Sequence, residues 1–432
     1  MDALILLGSF ALFCLMAMPV AYALGLAAVC AALWMDIPLE AISLKTSDGM
    51  DDFPLLAIPF FILAGAIMAE GGMAERIINL AKIFVGFIRG GLALVNIVAS
   101  TMFGCLSGSS VADTASIGSV MIPQMVKSGY PRLFAVNVTI SGSLQPLLLP
   151  PSHNMVIYSL AAGGSVSVAH LFMAGVIPGL LLGAALMLLC LYIARRDNFP
   201  KGETVSLRRA GRIAYEAVWG LVTVFIILGG ILSGVFTPTE GASVGAIAML
   251  AVGVGQRALG PREIVDAVRQ TAETSGMIFM ILLGAEVFGA FLALARLPGS
   301  VADLVAGLSL SPYAVLLAML GIYIVLGAVM DELAMILLTL PVFFPIMAAL
   351  DFGMSPDDAA IWFGILVLVV VGIGLTAPPI GLNVFVVSSV AREVPIVSIY
   401  KRVLPFIAAD VLRLALLVAF PGLSLWLVRL LA

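Results

Sequence analysis

The amino-acid sequence predicts an all-α polytopic membrane protein, an inverted-topology repeat with two re-entrant helical hairpins and two broken helices. Of its 432 residues, 62% are hydrophobic and only 11% are charged, and the mean hydropathy is +1.18, unlike a soluble domain. Apolar runs long enough to span a bilayer recur along the chain. Polar breaks bearing glycine or proline interrupt matching runs in the two halves, a pattern that indicates a transporter's binding site.

Composition also argues against several other classes of protein. The net charge of −4 is small, and no basic patch with interleaved aromatic residues suggests a nucleic-acid partner. The four cysteines lie in apolar runs and form no CxxC pair, so we interpret them as packing residues and expect neither disulfides nor a metal centre. Met1-Asp2-Ala3 leads straight into an apolar segment without a basic stretch, which predicts a retained span and not a cleaved signal peptide.

The N-terminal part predicts spans and an external loop. Residues 3–35 are too long for one crossing, and Pro19 and Gly25 divide them into two spans or one kinked span. Segment 36–53 carries five acidic residues against a single lysine. Because cytoplasmic loops favour Lys and Arg, this segment is interpreted as an external loop.

The first polar break lies inside a predicted hairpin. Residues 54–69 predict another span, and the amphipathic segment 71–89 predicts a helix on the cytoplasmic surface. The apolar run at about 90–126 then contains the tip sequence Ser107-Gly108-Ser109-Ser110. Basic residues both precede and follow this run, so a re-entrant hairpin that opens to the cytoplasm satisfies the charge rule, whereas a single crossing does not.

A broken helix and a strong orientation signal complete the first half. Residues at about 133–163 contain Pro150-Pro151 in mid-run, where proline removes backbone donors and interrupts a helix. A span at 170–194 follows. The segment after it is rich in arginine and lysine, which indicates the cytoplasm. Its basic residues are Arg195, Arg196, Lys201, Arg208, Arg209 and Arg212.

The second half repeats this plan. Residues 215–235 and 241–255 predict two spans joined by a short turn, and 274–294 predicts a third, followed by an amphipathic segment at 297–309. The second hairpin is predicted at about 312–348, and its downstream loop carries three aspartates and no basic residue. This hairpin should therefore open to the outside.

The matched pieces divide the chain into two repeats of opposite orientation. A second broken helix, at about 360–391, contains Pro378-Pro379 and mirrors the first double-proline break. We predict a first repeat at 1–212 and a second at 213–432. Because the two hairpins open to opposite sides, the arrangement is an inverted-topology repeat, from which alternating access follows.

The breaks supply the chemistry of the predicted site. Backbone groups freed by a helix break survive at membrane depth only in a protein interior or a wet cavity, where they can act as ligands. The first tip offers carbonyls and hydroxyls to a small hard cation, and half-helix N-termini can meet an anion. No Lys or Arg is predicted near mid-membrane, so co-bound sodium is expected to supply the positive charge for an anionic substrate.

We predict that sodium and substrate bind at the two hairpin tips and beside the double-proline breaks. A buried carboxylate at membrane depth costs about 3 kcal/mol or more unless it is paired, so Asp331 is interpreted as functional, with a protonated side chain or a helix cap as the alternatives. For Asp113 the sequence does not distinguish a ligand from a helix cap. Asn154 and Asn383 are expected to bind ligand or brace a tip, and His153 to be a hydrogen-bonded structural residue. The predicted site residues are Ser107, Gly108, Ser109, Ser110, Asn154, Asp331, Thr376, Gly381 and Asn383.

Five motifs in order resemble the large membrane subunit of the tripartite ATP-independent periplasmic (TRAP) transporters, from about residue 50 to the C-terminus. They are Phe53-Pro54-Leu55-Leu56-Ala57-Ile58-Pro59-Phe60-Phe61-Ile62-Leu63-Ala64-Gly65, Ser107-Gly108-Ser109-Ser110-Val111-Ala112-Asp113, Phe236-Thr237-Pro238-Thr239-Glu240, Met330-Asp331 before Leu333-Ala334-Met335-Ile336, and Pro378-Pro379-Ile380-Gly381-Leu382-Asn383. The resemblance implies a sodium-driven elevator in the bacterial inner membrane, with no cofactor besides the coupling ion Na⁺. It also implies two partners in addition to membrane lipids: a small four-helix membrane subunit and a periplasmic substrate-binding protein, neither expected to be fused to this chain.

Two departures from the family pattern bear on the substrate. This chain has Leu149-Pro150-Pro151-Ser152-His153-Asn154 where relatives often read Ile-Pro-Pro-Ser, an apolar residue and proline. It has Ala64-Gly65-Ala66-Ile67 where many carry an acidic residue after Ala-Gly. A C4-dicarboxylate, a sialic acid or another organic acid therefore all remain open.

Three other functions compete with this interpretation. The nearest is a stand-alone ion-coupled carboxylate carrier of similar hairpin architecture, which would work without a binding protein. An intramembrane hydrolase using Asp113 and Asp331 lacks the Gly-x-Gly-Asp pattern and does not explain an inverted repeat, so no enzymatic activity is expected. A passive channel would not need two opposed hairpins with closed tips.

Overall fold

The computed structural model describes residues 1–16, 18–50, 53–202, 205–297, 299–300 and 311–431, and the regular secondary structure in these ranges is helical apart from one isolated bridge between Arg89 and Lys201. The first half contains α1 (Asp2–Leu15), α2 (Val20–Trp34), α3 (Glu40–Met50), α4 (Ala57–Glu70), α5 (Met73–Val85), α6 (Gly91–Ser107), α7 (Ser110–Lys127), α8 (Arg132–Gly142), α9 (His153–Ala161) and α10 (Val168–Arg196). The second half contains α11 (Leu207–Leu232), α12 (Pro238–Gly255), α13 (Pro261–Leu294), α14 (Pro312–Gly327), α15 (Glu332–Ala348), α16 (Pro356–Thr376), α17 (Leu382–Val390), α18 (Ile396–Ala419) and α19 (Gly422–Leu431).

Several helices are long and apolar enough to cross a membrane. By length and composition there are five of them in the described residues, or seven if each of two bent pairs is counted as one span. One bent pair is α4 with α5, which meet at 74°, as expected if α5 lies along the membrane surface. The chain is therefore a multi-pass membrane protein.

Both predicted hairpins are present. The helices α6 and α7 pack against each other and meet at Gly108 and Ser109, and α14 and α15 meet in the same way at residues 328–331. Gly108 has φ +62°, a conformation that favours glycine, and lets the chain reverse. Asp331 then accepts hydrogen bonds from the backbone N–H groups of Leu333 and Ala334 and so starts α15.

Both predicted broken helices are present as well. The helix α8 ends at Gly142, a short 3₁₀ turn follows, and α9 begins only after Pro150-Pro151. The helix α16 ends at Thr376, and α17 begins after Pro378-Pro379. Both proline–proline peptide bonds are cis. The fold class predicted from sequence is thus confirmed.

Two groups of helices flank the hairpin tips. On one side α2, α4, α12 and α13 pack on one another. On the other, 94% of the most apolar stretch of α16 is buried, and α14, α15, α10 and α18 surround it. The helix α4 contacts α6 and α9, and α13 contacts α15, so both hairpins face the first group.

Some local predictions need correction. Segment 36–53 is not only a loop, because α3 lies within it, and the span predicted at 274–294 begins earlier, at Pro261. Pro19 separates α1 from α2, whereas Gly25 lies inside α2. The amphipathic segment at 297–309 lies mostly outside the described residues. The division into repeats at 212/213 stays a prediction.

Candidate functional site

The first hairpin tip is held by the first broken helix. Asn154 Nδ2 donates to the Gly108 carbonyl at 3.1 Å, and both residues are buried. The contact is close: a Cβ added at Gly108 would lie 2.9 Å from His153 Nδ1. Glycine is therefore required here by its positive φ and by the lack of space.

The second tip is held in an equivalent way by the second broken helix. The Ala328 carbonyl accepts hydrogen bonds from the backbone N–H groups of Ile380 and Gly381, each at 3.1 Å. Gly381 has φ +54°, which turns its N–H toward that tip. Each double-proline break thus supplies the donor that closes a hairpin.

Two further contacts connect the hairpins to the opposite breaks. Asn383 Nδ2 donates to Ser110 Oγ at 2.6 Å and lies 3.4 Å from Ser143 Oγ, so the second break binds the first hairpin. The side chain of Glu332, on the second hairpin, faces that of Asn154 in the first break. The two tips and two breaks therefore form one connected unit.

This unit borders a cavity of about 590 Å³, within the size range of ligand pockets. Its polar walls come from Ser107, Ser109, His153, Asp331 and Glu332. The opposite wall is made by α4 and by the first half of α13, which contributes Gln270 and Thr274. No Lys or Arg is among the described residues that line it.

The predicted site residues take different positions in this unit. Ser107, Ser109 and Asp331 line the cavity. Ser109 also caps α7 by accepting from the Ala112 N–H at 3.3 Å, and Asp331 caps α15 while also bordering the cavity. Thr376 Oγ1 donates to the Ile373 carbonyl of its own helix at 2.9 Å and is not brought to the cavity. The other predicted site residues lie behind the cavity and hold the hairpin tips through hydrogen bonds. They are Gly108, Ser110, Asn154, Gly381 and Asn383.

Asp113 does not cap a helix, because Ser109 is the N-cap of α7. Its side chain is fully buried, and neither carboxylate oxygen has a hydrogen-bond partner in the described part of the chain. The Ser100 hydroxyl of α6 faces it without completing a hydrogen bond. One α-helical turn away on the same face, Ser110 meets Asn383. An unpartnered carboxylate in this interior is suited to a cation.

Three features were missed or misjudged from the sequence. Glu332 is 4% exposed and lines the cavity, although only the adjacent Asp331 was predicted as a site residue. His153 also lines the cavity, and its Nδ1 has no described hydrogen-bond partner, so the expected hydrogen bond is missing at that atom. Arg413 was not considered from the sequence; it is buried within α18, 3.1 Å from Asp410 Oδ1. It does not line the cavity.

The polar lining of the cavity consists mainly of oxygen atoms. The described residues contain no group of three or more His, Cys, Asp or Glu side chains placed to hold a metal ion. Hydroxyl, amide and carboxylate oxygens are plentiful instead, and oxygen ligands at broken helices suit Na⁺.

We expect Gly108→Ala to disrupt the first tip. The new Cβ adds left-handed strain of about 1–2 kcal/mol and clashes with His153, so thermal stability and substrate uptake should both fall. Gly72→Ala is the matched control, because Gly72 also has positive φ (+65°) but has open space around it. Equal losses in uptake for the two variants would show that the contact with His153 does not matter.

The fold and the cavity together define a class: a multi-pass membrane transporter whose site is assembled from two hairpins and two broken helices. A solved structure with the same fold is that of the Alcanivorax borkumensis YdaH transporter, with a TM-score of 0.66 at 16% identity, covering 97% of this chain and 98% of that one. This likeness concerns the fold alone.

The particular family follows from the sequence comparisons. The family model described as "Tripartite ATP-independent periplasmic transporter, DctM component" matches residues 7–423. The chain is 39% identical to the C4-dicarboxylate TRAP transporter large permease protein DctM of Pseudomonas aeruginosa, over 90% of this chain and 89% of that protein. It is 36% identical to the sialic acid TRAP transporter large permease protein SiaM of Vibrio cholerae, over 88% and 87%. The chain belongs to the DctM family of TRAP large permease subunits, which are multi-pass proteins of the bacterial inner membrane.

Proposed function

We propose that this subunit imports a small organic acid by sodium symport, that it does so with a periplasmic binding protein and a small four-helix membrane subunit, and that its hairpin unit moves as an elevator. The observation that carries the proposal is the convergence of both tips and both breaks on one cavity. The proposed sodium and substrate ligands are the predicted tip and break residues other than Thr376, whose hydroxyl bonds within its own helix, together with Asp113. No covalent chemistry is proposed.

Sodium coupling is supported by the buried oxygens behind the first tip. Asp113 would carry its charge at membrane depth without a partner, which costs about 3 kcal/mol or more. Side-chain oxygens of Ser107, Asn154 and Asn383 are also buried and unpartnered among the described residues. A bound Na⁺ would satisfy such oxygens, as cations do at the broken helices of other transporters.

An anionic substrate can be held in this cavity without a basic side chain. The helices α7 and α15 both begin at it, since their N-caps Ser109 and Asp331 are part of the lining. Helix N-termini carry positive partial charge and free N–H groups that favour anions. Bound sodium would add the rest of the positive charge and so couple ion binding to substrate binding.

Elevator movement is supported by the surfaces that face each other across the cavity. Where α4 faces α7, most of the lining side chains are small, and small side chains let two bodies pass closely without interlocking. From α4 these are Gly65, Ala66 and Ala69, and from α7 they are Val111, Ala112 and Ala115.

The position of the cavity along α13 indicates which side it faces. Gln270 and Thr274 lie in the half of α13 that follows the arginines at 257, 262 and 269, which favour the cytoplasm. Farther along α13, the helix packs closely on α15, because a Cβ added at Gly289 would lie 3.4 Å from the Cβ of Pro341. The structure is therefore interpreted as an inward-facing state.

The test is uptake into proteoliposomes that contain this chain and its small subunit, with organic acids presented on the binding protein. We expect uptake only when loaded binding protein is outside and a sodium gradient points inward. The panel contains C4-dicarboxylates and sialic acids, because the relatives are named for these substrates. Uptake of free acid without the binding protein would contradict the tripartite proposal and favour a stand-alone carrier.

A further inference from the structure

Three basic side chains line a second cavity, which shares no lining residue with the site described above. This basic cavity has a volume of about 400 Å³, within the size range of ligand pockets. Its cations are Lys82 of α5, Lys201 of the connection after α10, and Arg209 in the first turn of α11. Because Lys and Arg favour the cytoplasm, the basic cavity is assigned to the cytoplasmic side of the membrane.

The surrounding residues do not neutralise these three cations. The described lining of the basic cavity contains no Asp or Glu. Lys82 Nζ donates to Asn79 Oδ1 at 3.3 Å, and neither Lys201 nor Arg209 has a side-chain hydrogen bond or ion pair with another described residue. Arg209 is close enough to Lys82 for their like charges to interact, while Glu75, two turns earlier in α5, acts on Lys82 with the opposite sign. A cleft lined by one sign of charge attracts counter-ions.

The ligand that suits the basic cavity is an oxygen-rich anion. Glu203 follows the lining residue Gly202 in the sequence and lies outside the described residues. Counted together with Glu75, it still leaves the three cations in excess. Lys and Arg form strong, charge-assisted hydrogen bonds with phosphate. The helix α11 begins at the same place, and its N-cap Ser206 makes no side-chain capping hydrogen bond, so the N–H groups of its first turn add to the attraction.

The membrane supplies phosphate groups at the depth of the basic cavity. Tyr215 lies six residues beyond Arg209 on α11, a rise of about 9 Å, and is 67% exposed. Its ring packs edge-on against that of Trp219, which is 42% exposed. Exposed Tyr and Trp mark the boundary between head groups and hydrocarbon, and the head-group layer is about 5–8 Å thick on each side. The basic cavity therefore lies at the level of the lipid phosphates.

Two connections between helices meet at the basic cavity. The helix α5 links α4 to α6, and residues 197–206 link α10 to α11. The connections touch each other, since the Gly90 N–H after α5 donates to the Pro200 carbonyl at 3.1 Å. Lys82 belongs to the first connection and Lys201 to the second, so an anion bound by both side chains links the two.

We propose that the basic cavity binds the phosphate of an anionic phospholipid from the cytoplasmic leaflet. Lys82, Lys201 and Arg209 hold the phosphate, and the acyl chains lie along the exposed apolar side chains of α11 beyond Tyr215, which include Phe225. The bound lipid stabilises the arrangement of the two connections. This inference goes beyond the proposed function and does not rest on it, because it involves no residue of the transport cavity.

The test is native mass spectrometry of the delipidated complex of this chain with its small subunit. The complex is titrated with phosphatidylglycerol, which is anionic, or with phosphatidylcholine of the same chain length, which is zwitterionic. Each Lys or Arg near the membrane surface contributes about 5-fold to the affinity for an anionic lipid. We therefore expect one phosphatidylglycerol molecule to bind at least about 10-fold more tightly than phosphatidylcholine, and glycerol 3-phosphate at equal concentration not to displace it.

Two variants and a matched control make the result specific to the basic cavity. Lys82→Gln and Arg209→Gln should each weaken phosphatidylglycerol binding by about 5-fold. Arg208→Gln makes the same change of charge at the neighbouring position, which is not among the described lining residues, and should alter the affinity by less than about 2-fold. If Lys82→Gln does not fold, the comparison of Arg209→Gln with Arg208→Gln decides.

Each contrary outcome has its own meaning. Equal affinity of the wild type for the two lipids overturns the proposal, and so does an equal loss in Arg208→Gln and Arg209→Gln, which would show a diffuse surface charge without a site. Displacement of phosphatidylglycerol by glycerol 3-phosphate would show that the cavity takes a soluble phosphate ester and not a lipid. None of these results bears on sodium-driven uptake, so the proposed function stands or falls separately.

Discussion

Asp113→Asn is expected to abolish the response of the protein to sodium. The substitution keeps the shape of the side chain but removes a charge that has no partner among the described residues. If Na⁺ neutralises that charge, a loss of about 3 kcal/mol of interaction corresponds to a roughly 100-fold weaker sodium affinity. Sodium-driven uptake should fall to near background, measured as initial rate against external sodium.

The same variant should behave in the opposite way without sodium. In potassium buffer an unpaired buried carboxylate destabilises the fold, and replacing it by a neutral group relieves that cost. Thermal unfolding of Asp113→Asn should therefore occur at a higher temperature than that of the wild type in potassium, and adding sodium should not raise it further. A variant that keeps the wild-type increase with sodium would remove Asp113 from the proposed cation site.

Asp331→Asn is expected to weaken sodium-dependent uptake strongly while the fold is preserved. Asparagine caps helices about as well as aspartate, so the hydrogen bonds from Leu333 and Ala334 to this side chain at 2.9 and 2.8 Å can be kept. Only the charge in the cavity is lost. We expect the sodium concentration for half-maximal uptake to rise by about 10-fold or more, the effect of 1.4 kcal/mol.

Asp331→Ala serves as the comparison, because it removes both the charge and the cap. Loss of an N-cap costs about 1 kcal/mol of stability, so this variant should unfold at a lower temperature than Asp331→Asn. Its uptake rate should not exceed that of Asp331→Asn. If Asp331→Asn transports with an unchanged sodium curve while Asp331→Ala fails, Asp331 is a structural cap and not part of the site.

Much of the fold could be predicted from sequence because its breaks are local. Glycine and serine at 107–110, the prolines at 150–151 and 378–379, and the sign of charge in each loop are visible residue by residue. The helix α3 was not predicted, because an acidic segment was interpreted through its charge and its helical content was not considered. Arg413 could have been found, since Asp410 precedes it by three residues, a spacing that pairs side chains on a helix.

The assembly of the site could not be predicted, because its contacts join distant parts of the chain. The contacts of Asn154 with Gly108 and of Asn383 with Ser110 depend on how four elements pack. Likewise, sequence placed Asp331 and Glu332 side by side, but burial of Glu332 against Asn154 depends on the packing of α15 on α9. The sequence therefore places the predicted site residues near the tips and breaks. Which of them line the cavity and which hold the tips is seen only in the structure.

The most direct test of the account is the initial rate of substrate uptake by wild-type proteoliposomes under three inward gradients of equal size, of sodium, potassium or protons, with loaded binding protein outside. We predict saturable uptake with the sodium gradient and background uptake with the other two. Uptake driven equally by a proton gradient in the absence of sodium would contradict the assignment of the tip and break oxygens to Na⁺.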